Sequence, residues 1–341
     1  MRIASSNLTK NECRTKAVST SNMSIIDKVP ASMRRAARRI LPASAVDAAR
    51  DSVLHRFYLK SMVSRDSRAT RWVRRRILRK RPRLYHFEIH ITDHCNLNCK
   101  GCAHFSNLCK PTFADLGEFE RDMRAMSEIF SAVDQVYLLG GEPLLHPDVA
   151  SFVRAGRKFF PASRLYLMTN GTLVTRMKDE VWSALADTGV VLLCDAYPIG
   201  LPVEEINQLG AAHGAKIEWT VPREEFYKIP IDLEGGHEAS RSFHNCQGFN
   251  NCPIVRDGRL YPCAYIAYAD AFQGYFDIEG LNPSEDDSIS ILDATSPDAV
   301  MEFLLHEVPW CSRCDMDSRE FRTWGRSTRN IEEWTTVTSE R

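Results

Sequence analysis

The 341-residue sequence has no run of about 18 apolar residues, which excludes a membrane-spanning helix. It has no apolar core behind a basic start, so nothing in it reads as a secretory signal, and cytoplasm is the expected compartment. Net charge is also missing, since 44 Lys and Arg balance 44 Asp and Glu. The balance hides a shortage: residues 1–85 hold 22 Lys and Arg but only 5 Asp and Glu, a surplus of 17 positive charges that residues 86–341 offset. Two parts with different tasks follow from that asymmetry. What is plentiful is cysteine. Eleven cysteines in CxxC-like spacings, in a chain without an export signal, favour metal ligation in a reducing compartment over disulfides.

A hydrophobic content of 44% and a charged content of 26% are those of a soluble globular protein. The length allows one α/β barrel of about 200–250 residues with additions. Residues 1–32 are rich in Ser, Thr, Asn and Lys without periodicity and read as a disordered lead-in, with Met23 an alternative start. An organelle transit peptide is disfavoured by Glu12 and Asp27. Residues 33–84 read as a basic helical arm, with Arg34, Arg35, Arg38, Arg39, Arg74–Arg76, Arg79–Arg81 and Arg83 around Trp72, Val73 and Ile77. A solvated arm is the plain reading. Peripheral contact with an anionic membrane is the functional one, at about 1 kcal/mol per basic residue near the surface. Nucleic acid is disfavoured because no recognition motif accompanies the charge.

From residue 86 the pattern alternates. Strands are expected at His86–Ile91, Gln135–Leu139, Arg164–Met168, Val190–Cys194 and Lys216–Thr220, with helices over Leu116–Phe130, Asp148–Phe160, Val174–Ala186 and Val203–His213. Such β-α-β units give a parallel sheet, here a partial TIM-like barrel of five or six units, whose catalytic loops follow the C-terminal strand ends. The core domain is expected over 85–225 and a smaller domain over 226–341, closed by a helix at Arg319–Arg329.

Three cysteines follow the first strand: Cys95, Cys99 and Cys102 in the run CNLNCKGC. Thiolates hold iron–sulfur clusters, and three ligands on a four-iron cube leave one iron open to a substrate. The Cys-x3-Cys-x2-Cys spacing resembles the cluster motif of the radical S-adenosylmethionine (SAM) enzymes. That resemblance implies a [4Fe-4S] cluster whose open iron is chelated by SAM, reductive cleavage of SAM to a 5′-deoxyadenosyl radical, and a low-potential donor such as flavodoxin or ferredoxin. The family usually has an aromatic residue where Gly101 stands, and Phe105 or His104 are the substitutes within reach. After the second strand, Gly140-Gly141-Glu142-Pro143 resembles the family's GGEP motif, which binds the methionyl amino group of SAM. Two glycines let backbone approach a ligand closely, and Glu142 can accept from a cation. The third strand ends in Thr169-Asn170-Gly171, and the resemblance makes Asn170 a SAM contact, although Asn-Gly is equally an ordinary turn. The fourth strand ends in Cys194-Asp195; Leu193 replaces the serine of relatives, Asp195 is a ribose or substrate candidate, and Cys194 reads as a small buried hydrophobe.

A second cysteine set comprises Cys246, Cys252, Cys263, Cys311 and Cys314. Asp257-Gly258 is a two-residue hairpin turn that returns Cys263 to the residues before it. The pattern Cys246-x11-Gly258-x4-Cys263 with the distant Cys311-x2-Cys314 resembles the twitch form of the auxiliary-cluster domain of some radical SAM enzymes. It implies one auxiliary [4Fe-4S] cluster on Cys246, Cys263, Cys311 and Cys314, because no cysteine follows residue 314. A tetrahedral zinc on the same thiolates is the alternative. Cys252 is spare: it could replace Cys246, stand free and return a hydrogen atom, or be inert, and Cys109 is likewise open. His146 and His104 lie near the expected active face, where lone histidines are more often structural.

The resemblance implies abstraction of hydrogen from an unactivated C–H bond. Twitch-type relatives point to oxidation or epimerisation of a sugar-like or aminocyclitol-like small molecule, and the basic arm suits a substrate linked to a nucleotide or lipid phosphate. A peptide- or protein-modifying maturase is the enzymatic rival, against which no leader-binding domain is visible in residues 1–85. A non-enzymatic zinc or iron–sulfur protein that binds nucleic acid is the rival from another class, and Gly140–Pro143 counts against it.

Overall fold

The computed structural model describes residues 81–246, 252–293 and 296–336, all in one compact unit. The lead-in and nearly all of the basic arm, with its membrane reading, lie outside the described residues. Ten strands are assigned among those described. β1 (Arg83–Thr92), β2 (Ala132–Gly140), β3 (Arg164–Thr169), β4 (Val191–Cys194) and β5 (Ile217–Trp219) pair in parallel in that order. Between them run α1 (Leu116–Ile129), α2 (Val149–Phe159), α3 (Asp179–Thr188) and α4 (Val203–Ala212).

Local chemistry sets the boundaries. Asp115 caps α1 by accepting from Glu118 N at 3.0 Å, Asp148 caps α2 by accepting from Ser151 N at 3.3 Å, and α3 stops at Gly189 with φ +64°. Along β1, Phe87, Ile89 and Ile91 enter the core beneath the helices with Met123, Phe152 and Leu165. The alternation of a strand therefore turns His86, Glu88 and His90 to the opposite face.

Three strands between residues 254 and 290 extend the same sheet. β6 (Glu225–Lys228) lies apart from it, and α5 (Ala239–Cys246) leads towards β7 (Ile254–Arg256), which pairs in parallel with β1 on the side away from β2. β8 (Arg259–Tyr261) and β9 (Ile289–Ser290) complete an eight-stranded sheet with antiparallel pairing. The expected hairpin is present, with Asp257 at φ +52° and Gly258 at φ +71°, the two positive φ angles of a type I′ turn. α6 (Ala264–Ala267), α7 (Ala269–Phe276) and α8 (Pro297–Leu304) follow. A second core gathers Phe105, Tyr265, Phe272, Trp310 and Trp334.

Two expectations are corrected. The basic arm was expected to reach residue 84, but β1 begins at Arg83 and pairs it with Ala132. The expected closing helix over Arg319–Arg329 is absent: Glu320–Thr323 form β10, antiparallel to β6. The alternating Glu-Phe-Arg-Thr segment gains ladder hydrogen bonds there that an isolated polar helix would have to make without a packed face. Among the described residues no helix is long and apolar enough to cross a membrane.

Candidate active site at the strand ends

β1 ends at Thr92, and the loop that follows carries Cys95, Cys99 and Cys102. The turn after β2 is pressed against the start of this loop. A Cβ on Gly140 would stand 2.0 Å from Thr92 O, and one on Gly141 2.3 Å from His94 O. Glycine alone permits the two bonds that join the segments, Gly141 N to Thr92 O at 3.0 Å and Glu142 N to His94 O at 3.1 Å. The close approach expected for a ligand is thus used first by one loop against the other.

Glu142 is fully buried. Its Oε1 accepts from Thr169 Oγ1 at 2.7 Å and Leu144 N at 3.0 Å, and its Oε2 from Asn170 N at 2.8 Å. Burial pushes the carboxyl up to about 7, against the pull of those hydrogen bonds. A carboxylate offers about four acceptor positions, so one remains on Oε2. Pro143 opens a short 3-10 turn that Glu142 caps. Asn170 connects β3 to the cysteine loop: its Nδ2 donates to Asn96 Oδ1 at 2.9 Å and to Cys95 Sγ at 3.6 Å, while its Oδ1 accepts from Thr172.

The other side of the loop is held by the end of the chain. Lys100 N donates to Gly325 O at 2.9 Å, Ser327 N to Asn98 O at 2.9 Å, and Cys99 bridges Arg326 as in a sheet. Trp324 Nε1 donates to Cys99 Sγ at 3.3 Å. Trp334, fully buried, donates its Nε1 to Cys102 O at 2.9 Å, and Glu333 Oε2 accepts from Gly101 N at 3.3 Å. Gly101 has φ +66° and a Cβ there would meet Glu333 O at 3.1 Å, which explains why no aromatic residue occupies the position.

The second cysteine set converges as well. Cys246, Cys263, Cys311 and Cys314 line one largely apolar pocket with Phe243, Ile266 and Trp310. Cys246 ends α5, Cys263 precedes α6, and Cys311 and Cys314 come from the 3-10 turn at Pro309–Arg313. Burial first, and then its three thiol neighbours, pushes Cys314 well above the ordinary thiol range.

Comparison with known proteins agrees with the mouth geometry. A family model described as the radical SAM superfamily matches residues 89–202, which run from β1 through the cysteine loop and Gly140–Pro143 to the turn after β4. Residues 89–202 are a radical SAM domain. Relatives include the molybdenum cofactor biosynthesis protein 1 of Bos taurus, 29% identical over 45% of this chain and 22% of its own length. The GTP 3',8-cyclase of Microcystis aeruginosa is 31% identical over 29% of this chain and 31% of its own. The chain thus spans under a third of the length of these curated relatives. Among solved structures, BtrN in complex with AdoMet and 2-DOIA is 16% identical, with a TM-score of 0.41, covering 68% of this chain and 93% of that one.

A radical SAM domain uses a [4Fe-4S] cluster and SAM, and the residues present fit the cluster. Cys95 and Cys99 are thiols that burial pushes up to about 12, yet donors already aim at them, Leu97 N and Asn170 Nδ2 at Cys95, Trp324 Nε1 at Cys99. Cys102 is likewise pushed up by burial, and the amides of Ser106, His104 and Phe105 counter it. Buried sulfurs ringed by donors suit iron-bound thiolates.

The remaining candidates divide. Asp195 lies beside this loop, its Oδ1 accepting from Arg223 Nε at 3.0 Å; burial raises its pKa and Arg223 opposes the rise. Phe105 cannot stand in for the missing aromatic, because it is fully buried against Tyr265 and Phe272. His104 bonds His90 at 2.8 Å. His146 is structural: one ring nitrogen meets Ala114 O at 3.2 Å and the other accepts from Asp148 N at 3.0 Å. Cys194 is buried in the first core, and Cys109 is a half-buried thiol. Cys252 is not brought to the mouth. Glu88 pairs with Ile254, which sets Cys252 level with His86, six residues before the end of β1 and about 20 Å along the strand. Sequence reasoning missed Trp324, Glu333 and Trp334. The signal available was a pair of tryptophans in a polar tail.

Proposed function

We propose that the protein is a radical SAM enzyme that oxidises a C–H bond of a small, neutral, hydroxyl-rich substrate, with a second four-iron cluster on Cys246, Cys263, Cys311 and Cys314. The observation that carries this reading is the convergence of those four thiols on one pocket, where Cys263 follows β8 of the same sheet whose strand ends hold Cys95, Cys99, Cys102 and Glu142. When bound, the first cluster and SAM would supply the chemistry of hydrogen-atom abstraction, and the second cluster would supply an electron acceptor. The chain's own residues orient and exclude. Glu142, with one acceptor position open, receives the amino group of SAM; Asn170 fixes the loop against β3; Asp195, held by Arg223, offers an acceptor to a hydroxyl. Trp324 and Trp334 close the loop's other side against water.

Oxidation is favoured over epimerisation, because the spare Cys252 is too far from the mouth to return a hydrogen atom there. A neutral substrate is favoured over a nucleoside triphosphate of the kind named in the cyclase relatives. Arg223 is paired with Asp195, Arg256 with Asp270, and Lys228 Nζ is capped by Glu332 O and Thr335 O. Anaerobic reconstitution tests the proposal: on the order of eight irons per chain, and 5′-deoxyadenosine released with dithionite and SAM. Zinc in place of iron, with no SAM cleavage, would refute it. Deuterium passing from a labelled sugar or aminocyclitol into 5′-deoxyadenosine would identify the substrate.

A further inference from the structure

Half-way down β1, on the face turned away from the helices, lies a second group of ligand-type side chains. His86 and Glu88 stand two residues apart on that face, and Cys252 approaches from the residues ahead of β7. The ligand atoms of the three all lie within 4.8 Å of one another. The placement is rigid: Glu88 pairs with Ile254 in the sheet, and Glu88 N donates to Pro253 O at 2.9 Å.

Three observations say that this group is incomplete. Glu88 Oε2 is buried without a hydrogen-bond partner; His104 Nε2 stands 4.0 Å away, beyond bonding reach, and burial keeps that imidazole neutral. The His86 ring meets Tyr85 and Tyr137 edge-on at 5.4 and 5.9 Å and has no hydrogen-bond partner among the described residues. The Cys252 thiol shares its hydrogen bond with Glu88, and burial first, then Glu88 and the Cys263 and Cys246 thiols, push it well above the ordinary range. A buried carboxylate lone pair without a donor costs about 1–3 kcal/mol. Two acidic groups and a neutral imidazole, side by side and short of donors, are what a cation satisfies.

We propose that His86, Glu88 and Cys252 form a mononuclear divalent-metal site, with zinc the ion that the donors match. One imidazole nitrogen, one carboxylate oxygen and one thiolate sulfur are the mixed set that zinc accepts, and three protein ligands leave a fourth position for water or a substrate oxygen. On binding, the Cys252 thiol loses its proton to solvent and its sulfur coordinates the ion, and Glu88, raised to about 7 by burial, gives up whatever proton it holds, so metal uptake releases protons. Cys252 is not among the residues that line the four-thiol pocket, although the Cys263 and Cys246 thiols are near enough to act on it electrostatically. The site stands whether or not the radical reading of the mouth holds.

The test uses the full chain with its clusters reconstituted, equilibrated with zinc and then dialysed, with iron and zinc counted in the same sample. One zinc per chain beyond the iron is expected. In Cys252→Ala and His86→Ala the affinity for that zinc falls by at least about 10-fold, while iron content stays at the wild-type value. Cobalt(II) in place of zinc gives the wild-type protein a thiolate-to-metal charge-transfer band that is lost in Cys252→Ser; this readout stands even where the His86 variant fails to fold. A wild-type chain with under a tenth of a zinc and no such band overturns the site. So does zinc retained in Cys252→Ala, or iron lost from it, which would make Cys252 a cluster ligand.

Discussion

At the scale of single residues, the sulfurs of the mouth are tuned by donors from far along the chain. Trp324 lies 225 residues beyond the thiol it serves, and its indole N–H removes negative charge from Cys99 Sγ. Hydrogen bonds to cluster sulfurs favour the reduced state. Trp324→Phe should therefore lower the midpoint potential of the mouth cluster, read by redox titration with electron paramagnetic resonance in a Cys311→Ala, Cys314→Ala background; an unchanged potential would count against the contact. Glu142 carries a pH signature in the cluster-free protein. Its pKa rises on folding from 4.5 to about 7, so its contribution to stability is complete below pH 4.5 and is lost as pH rises through 7. Thermal melts should then show a smaller fall between pH 5 and pH 8 in Glu142→Gln than in the wild type. The cysteines and Glu142 were legible because their chemistry is rare and their spacing short. Trp324 and Glu333 were not, because nothing in a polar tail states which distant backbone it will meet.

At the scale of elements, the site is two loops brought into contact by glycine. Gly140→Ala sets a methyl 2.0 Å from Thr92 O, which is backbone and cannot swing away. A loss of about 3 kcal/mol is expected, together with impaired retention of the mouth iron, measured by chemical denaturation and iron content. Most strands and helices of residues 86–213 were readable because each carries its own period, but the helix expected from Val174 begins only at Asp179, after a separate 3-10 turn at Val174–Arg176. β10 was not. A four-residue strand takes its identity from its partner, and that partner, β6, lies about 90 residues upstream.

At the scale of the whole molecule, the two cysteine sets should separate cleanly. Replacing Cys95, Cys99 and Cys102 by alanine should abolish 5′-deoxyadenosine formation and leave about half of the iron. Replacing Cys263, Cys311 and Cys314 should remove the other half while SAM cleavage continues without product. Loss of both functions in both variants would mean that the sets do not act as separate centres. By itself the sequence determined the parallel β-α-β order, the hairpin at Asp257-Gly258 and the identity of the thiols, because periodicity, turn chemistry and metal ligation are local properties. Only the tertiary structure decided that the chain's end straps the cysteine loop, that Cys252 belongs with His86 and Glu88, and that Phe105 is core. Those outcomes depend on pairing between segments far apart in sequence, and the register of a sheet is fixed by what packs against it.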